Sequence, residues 1–193
     1  MSPQPVLWHA MRVTYRRELQ VKQMIDDLGI DDVDTYVPLR RVSKVTRRGV
    51  KTVVNEPAVH NLLFVRARRE WLQEFKSRVP HLQYLTMRSG GRSVPIVVPD
   101  AQMDAFIALS RSAGDNAVYF APGELDLRRG TRVRLHGGLL DGLEATYVKL
   151  AGRRNRQVVV EIDGVVSIAT ATVAPDYIEV IEPPKTQNSK SLL

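Results

Sequence analysis

Residues 7–29, LWHAMRVTYRRELQVKQMIDDLG, change period halfway along, and that change decides the fold. Leu7 to Thr14 is a short run of aliphatic and aromatic residues and predicts a strand. Beyond it Val21, Met24, Ile25 and Leu28 recur at i, i+3, i+4 and i+7, one face of a helix running from Arg16 to Leu28. Gly29 follows where a helix C-cap favours glycine.

The strand-then-helix pattern returns downstream. Thr35 to Leu39 (TYVPL) predicts a strand, with Pro38 placing it at an edge or an end. Asn61 to Ala67 (NLLFVRA) is apolar and strand-like, and Arg69 to Arg78 predicts a helix with Trp71, Leu72 and Phe75 on one side. Pro80 ends that helix. Leu82 to Met87 and Val94 to Val98 predict strands around a loop at Gly90-Gly91, and Asp100 is an N-cap for a third helix whose Met103, Phe106 and Ile107 share a face.

Between the two strand–helix units lies a stretch of different texture. Arg40 to Val54 holds six basic residues, Arg40, Arg41, Lys44, Arg47, Arg48 and Lys51, and no acidic one. Valines recur through it and Gly49 offers a turn, so it predicts a protruding basic β-hairpin. The order is then β-α-β, arm, β-α-β, helix. It predicts an α+β protein whose first half is a ferredoxin-like split βαβ sandwich.

Residues 111–127 lose periodicity, as a linker does. From Arg128 the chain turns β-rich, with candidate strands at Thr131–Leu135, Ala145–Leu150, Gln157–Ile162, Val165–Ala171 and Tyr177–Ile181. Gly137-Gly138 and Asp163-Gly164 mark turns. Short strands at this spacing predict a small SH3-like β-barrel. The expected organisation is a first domain over 6–112, a linker over 113–127, a second domain over 128–182 and a disordered tail over 183–193.

The chain carries 28 Lys and Arg against 21 Asp and Glu, net +7. That balance favours anionic partners, against the alternative of a merely solvated surface. It has no cysteine, which excludes disulfides, thiolate metal sites and Cys nucleophiles. Its four histidines, His9, His60, His81 and His136, have no metal-binding spacing, and no G-x-S-x-G, Walker or dinucleotide fingerprint occurs. A non-enzymatic protein with no cofactor and no metal site is expected. The opening MSPQPVLWHAM lacks the layout of a secretory leader, and no apolar run approaches the roughly 20 residues that cross a bilayer. A soluble, cytoplasmic protein without membrane contact is expected.

Two halves together carry a resemblance. Trp8 to Tyr15 (WHAMRVTY) resembles the opening of NusG N-terminal domains. Glu56 to Ala67 (EPAVHNLLFVRA) resembles their stretch reading roughly FPGYVLV, and Pro95 to Phe106 (PIVVPDAQMDAF) their P-V-P-L-S segment with its acidic helix. Gly130 to Leu150 (GTRVRLHGGLLDGLEATYVKL) resembles a KOW motif. The order of NusG-like domain, linker and KOW is more specific than any one of these stretches. Within the family, PAVHNLLFV and VPDAQMDAFI are similar to the UpxY-type antitermination proteins of capsular polysaccharide loci, with RfaH a more distant relative.

The resemblance implies a transcription elongation and antitermination factor, monomeric, that binds the clamp helices of the largest RNA polymerase subunit and suppresses pausing or termination on selected operons. It implies an apolar pocket on the sheet for that contact, made by Val59, Leu62 and Phe64, with Tyr84 or Leu85 and Ile96 as the other wall and Tyr15 nearby. Core packing is the competing reading for each of these positions, since one face of a strand is buried in any sheet. The resemblance also implies that Arg16, Arg17 and Lys22 lie near the non-template DNA strand, against the alternative of a solvated helix face. The arm reaches upstream DNA or touches nothing. Arg153, Arg154 and Arg156 read as a solvated turn. The KOW half implies contact with the ribosomal protein NusE, while Gly138-Leu139 in place of the motif's Pro-Phe puts Rho binding in doubt. The alternative function is a KOW-type RNA- or ribosome-binding module. β-Branched residues crowd 158–168, which favours a stable β-fold over a helical alternative.

Overall fold

The computed structural model describes residues 4–152, 154–170 and 177–182. The expected tail and Arg153 lie outside them. The chain is mixed α and β and divides into two compact units, one ending at Met103 and the other beginning at Asp104.

The first unit starts with β1 (Val6–Val13), a 3-10 turn at Thr14–Arg16, α1 (Glu18–Asp26) and β2 (Asp34–Tyr36). Next come β3 (Leu39–Val45) and β4 (Lys51–Pro57), then β5 (Leu62–Arg68), α2 (Arg69–Arg78) and β6 (Leu82–Tyr84). β7 (Thr86–Ser89), β8 (Arg92–Pro95), β9 (Val97–Val98) and the start of α3 (Asp100–Ala113) complete it. The main sheet has the order β2-β5-β1-β6, with β9 also pairing β1, and every pair is antiparallel.

Strand alternation divides this sheet into two faces. Met11 and Val13 of β1 and Leu63, Val65 and Ala67 of β5 share a buried cluster with Val21 and Ile25 of α1 and Leu72 of α2. Trp71 and Phe75, one turn apart on α2, stack at 5.3 Å and pack against that cluster. Of the spacing read from the sequence, Val21 and Ile25 on the first helix and Leu72 with Trp71 and Phe75 on the second form the core face, whereas Met24 and Leu28 are exposed, and α1 ends at Asp26, before Leu28.

Differences from the expected elements have local causes. The first helix begins at Glu18 rather than Arg16, because Tyr15 and Arg16 hold φ of 64° and 55°. Leu82 to Met87 is not one strand. It breaks at Leu85, whose N–H donates to Ala10 O and whose carbonyl accepts from Ile96 N, so the chain leaves the main sheet for the separate β7–β8 hairpin. The arm is a two-stranded sheet, β3–β4, with a turn at Gly49, where φ is 77°.

In the second unit β10 (Val118–Phe120), β11 (Thr131–His136), β12 (Glu144–Val148), β13 (Gln157–Ile162), β14 (Val166–Thr170) and β15 (Tyr177–Glu182) form one antiparallel sheet, in the order β10-β14-β13-β12-β11-β15. β10 falls inside the stretch expected to be a linker. Its register, Val118↔Ala169 to Phe120↔Ser167, gives 113–127 a structured segment that its irregular composition hid. Val148, Val159 and Ala169 pack under Phe120, Leu125, Leu127 and Leu150. Gly130 is required sterically, because a Cβ there would meet Thr146 Cγ2 at 2.2 Å and Leu127 O at 3.1 Å. Arg132 and Arg134 both reach Glu144, and Arg134 lies 3.6 Å from Glu179, which also takes His136 Nε2 at 2.9 Å. No helix among the described residues is long and apolar enough to cross a membrane.

Candidate functional site

Residues opposite one another in an antiparallel sheet point to one face. On the face away from the α1–α2 cluster, three rows follow from the register. Arg12 lies opposite Leu62, Ala10 opposite Phe64 with Tyr36 beyond it, and Trp8 opposite Arg66 with Asp34 beyond it. The Ala10 row continues through Ile96, whose carbonyl accepts from Ala10 N at 3.2 Å, and through Leu85. Ala10, Phe64, Ile96 and Leu85 therefore make the middle row largely apolar, and Arg12 and Arg66 stand in the two outer rows. Arg66 pairs with Asp34 at 3.5 Å and Asp100 at 3.7 Å.

The register brings Phe64 and Ile96 to one stretch of sheet, with Leu62 in the adjoining row. It also decides between Tyr84 and Leu85. Tyr84 is the register partner of Met11, itself opposite Leu63, and packs against the helix-side cluster, so its ring lies on the other face. Leu85, next along, continues the Ala10 row and is half-buried. The expected hollow is not open to solvent. Leu62 is 3% exposed, Phe64 0% and Ile96 5%. Val59 is half-buried.

Tyr15, by contrast, is 82% exposed, and its surroundings are unusual. Tyr15, Arg16 and Asn61 all have positive φ, 64°, 55° and 62°, and none is glycine. Left-handed backbone costs an L-residue roughly 1–2 kcal/mol each, so neighbouring contacts must hold it. They are present. Val13 N donates to Asn61 O at 3.0 Å and Thr14 N to His81 O at 3.0 Å. Arg16 N donates to Asn61 Oδ1 at 3.4 Å. Asn61 N donates to Oε1 of Glu18, whose side chain is completely buried. Its Oε2 has no partner among the described residues.

This turn exposes Tyr15, Arg16 and Arg17 together, and among the described residues neither arginine has an ion-pair partner. An aromatic ring beside guanidinium groups suits stacked bases and phosphates. Lys22 does not join them. It is half-buried, ion-paired to Asp26 and bonded to Thr35 Oγ1 at 2.9 Å. Glu18 and Asn61 were missed in sequence, where one reads as part of a charged run and the other as a strand boundary.

The β3–β4 arm is a second basic surface. On one of its faces Lys44 pairs with Glu56, and that hydrogen bond holds the Glu56 carboxyl below its ordinary range. The other carries Val53, 66% exposed, beside Arg41 and Lys51. Beneath α2, His9 is buried with its ring 5.7 Å from Tyr84, edge to face. Burial lowers the His9 pKa below its ordinary value and raises that of Tyr84. Among the described residues no group of histidines and carboxylates could hold a metal ion.

A family model described as transcription termination factor nusG matches residues 7–107, just over half of the chain. A solved structure described as domain interaction in Thermotoga maritima NusG aligns with a TM-score of 0.45 and 19% identity, covering 92% of this chain and 98% of that one. A likeness that loose adds nothing to what the family model gives. No curated protein matches the chain.

Proposed function

Because this chain belongs to the NusG family, we propose that it is an elongation factor that docks on RNA polymerase through its first unit and suppresses pausing or termination on selected operons. NusG-family proteins are non-enzymatic transcription factors that generally bind RNA polymerase and act in the cytoplasm. The family match over residues 7–107 carries the reading. The sheet order β2-β5-β1-β6, with two helices on one face, supports a ferredoxin-like first domain over 6–112. The antiparallel sheet of short strands supports a KOW domain over 128–182, joined through 113–127.

The docking face in this reading is the sheet surface of Leu62, Phe64, Leu85 and Ile96, rimmed by Val59 and Tyr15. It grips the clamp helices of the largest subunit. Since Leu62, Phe64 and Ile96 are buried, docking requires that face to be uncovered. Burying apolar surface there supplies binding at about 25 cal/mol per Å² before association costs. Tyr15, Arg16 and Arg17 then face the non-template strand. No bond is made or broken: binding energy shifts the complex away from paused states. The second unit recruits a further partner, NusE, at raised effective concentration. The similarity of residues 57–65 and 98–107 to UpxY-type proteins supports action on capsular polysaccharide operons.

Capture of RNA polymerase by the tagged full chain tests this. Polymerase is retained by the native chain and by Val180→Asp in the second unit, and lost in a Val59→Asp/Leu85→Asp variant of unchanged melting midpoint. Ribosomal particles retained in the absence of polymerase, or polymerase held equally by all three chains, would overturn it.

A further inference from the structure

The three left-handed non-glycine residues belong to one knot, and a buried carboxylate ties it. Glu18 is an expensive residue for that place. A carboxylate out of contact with water needs partners, yet Oε2 of Glu18 has none among the described residues. Its Oε1 has one task, accepting the N–H of Asn61 forty-three residues away. Asn61 then acts on the other strand. Its carbonyl accepts from Val13 N, and its side-chain oxygen from Arg16 N. The chain between those two N–H groups is the segment that turns left-handed and carries the exposed ring of Tyr15.

We propose that Glu18 and Asn61 are positioning residues, which hold Tyr15 and Arg16 left-handed so that the two meet a single strand of nucleic acid together. The inference rests on the reading above that this turn faces such a strand. Neither positioning residue touches the strand. Asn61 suits its place because its short polar side chain tolerates left-handed backbone and bonds locally. Glu18 fixes Asn61 from beneath. An unheld segment would relax to negative φ, the ring and the guanidinium would point apart, and each binding event would bear the ordering cost that the knot has already met.

Fluorescence anisotropy of a labelled single-stranded DNA oligonucleotide, titrated with the full chain, tests the inference. Tyr15→Ala/Arg16→Ala weakens binding about tenfold, the order of one stacking contact. Glu18→Ala weakens it as much, and adds no further loss in the Tyr15→Ala/Arg16→Ala background, since it acts only through that turn. Glu18→Gln restores binding to within about twofold, because its amide oxygen still accepts the Asn61 N–H. Asn61→Ala keeps that N–H, removes the oxygen that holds Arg16, and weakens binding in the same sense, which serves if Glu18→Ala does not fold. Unchanged binding in either folded positioning variant, alongside a loss in Tyr15→Ala/Arg16→Ala, overturns the positioning role and leaves the nucleic-acid reading standing. Unchanged binding in all of them overturns both.

Discussion

The Tyr15 turn and the β3–β4 arm both offer cations to solvent, and they are built in opposite ways. The turn is short, strained and fixed from beneath by a buried carboxylate and by hydrogen bonds that its N–H groups donate to Asn61 and His81, in two other segments of the first unit. The arm is a two-stranded ribbon with only partly buried residues, and its one acidic side chain, Glu56, is already paired with Lys44. A fixed turn can set the direction of a ring and a guanidinium, which geometry-dependent recognition requires. A ribbon of exposed cations supplies charge, which acts at a distance and weakens with salt. Positive charge alone therefore does not tell these two surfaces apart; the backbone beneath them does.

Substitutions sharpen or break this contrast. The largest effect belongs to the sheet that carries the turn. Phe64→Ala removes a fully buried ring and lowers unfolding free energy by about 3–5 kcal/mol, whereas Val53→Ala on the arm stays within about 0.5 kcal/mol; urea titration compares them. Equal losses would mean that the arm is as integral as the sheet. Glu18→Ala leaves the Asn61 N–H without its acceptor and lowers stability by about 1–3 kcal/mol in the same assay.

A smaller effect separates the interior of the first unit by pH. Burial depresses the His9 pKa in the folded state, so the unfolded chain takes up that proton first as the solution acidifies. Stability is then complete above about 6.5 and falls as pH drops below it. His9→Phe keeps an aromatic ring against Tyr84 and flattens that slope in thermal melts between pH 7 and pH 5, a range spanning about the ordinary imidazole value. An identical slope in both chains would remove His9 as its source. Smallest of all, Lys44→Ala leaves the melting midpoint unchanged, because Lys44 is exposed and its pair with the half-buried Glu56 is screened by solvent. A clear drop there would contradict the view of the arm as a carrier of charge alone.

Much of this was legible in the residues. The arm is marked by six cations among recurring valines. The helix faces of Val21, Ile25 and Leu72 followed from spacing. Strand β10 was not legible, because Val118 to Phe120 is too short to show a period and is held by its pairing with β14. Leu85 could not be separated from Tyr84 in sequence, since adjacent strand residues face opposite ways and only the register with Met11 tells which is which. Glu18 and Asn61 left no signal, because their bond spans forty-three residues and neither type is unusual where it stands.

What the chain determined by itself was local: periods of two and 3.6, glycine turns, the sign of the charge, and motif order enough to point to the NusG family. Those features depend on neighbours within a few residues, so composition and spacing report them directly. Tertiary structure alone decided that the apolar side chains of β5 are covered on both faces of the sheet, which of two adjacent residues joins the Phe64 face, and that a buried glutamate ties down the exposed turn at Tyr15. These depend on strand register and on contacts between distant segments, and such contacts exist only once the sheet has assembled.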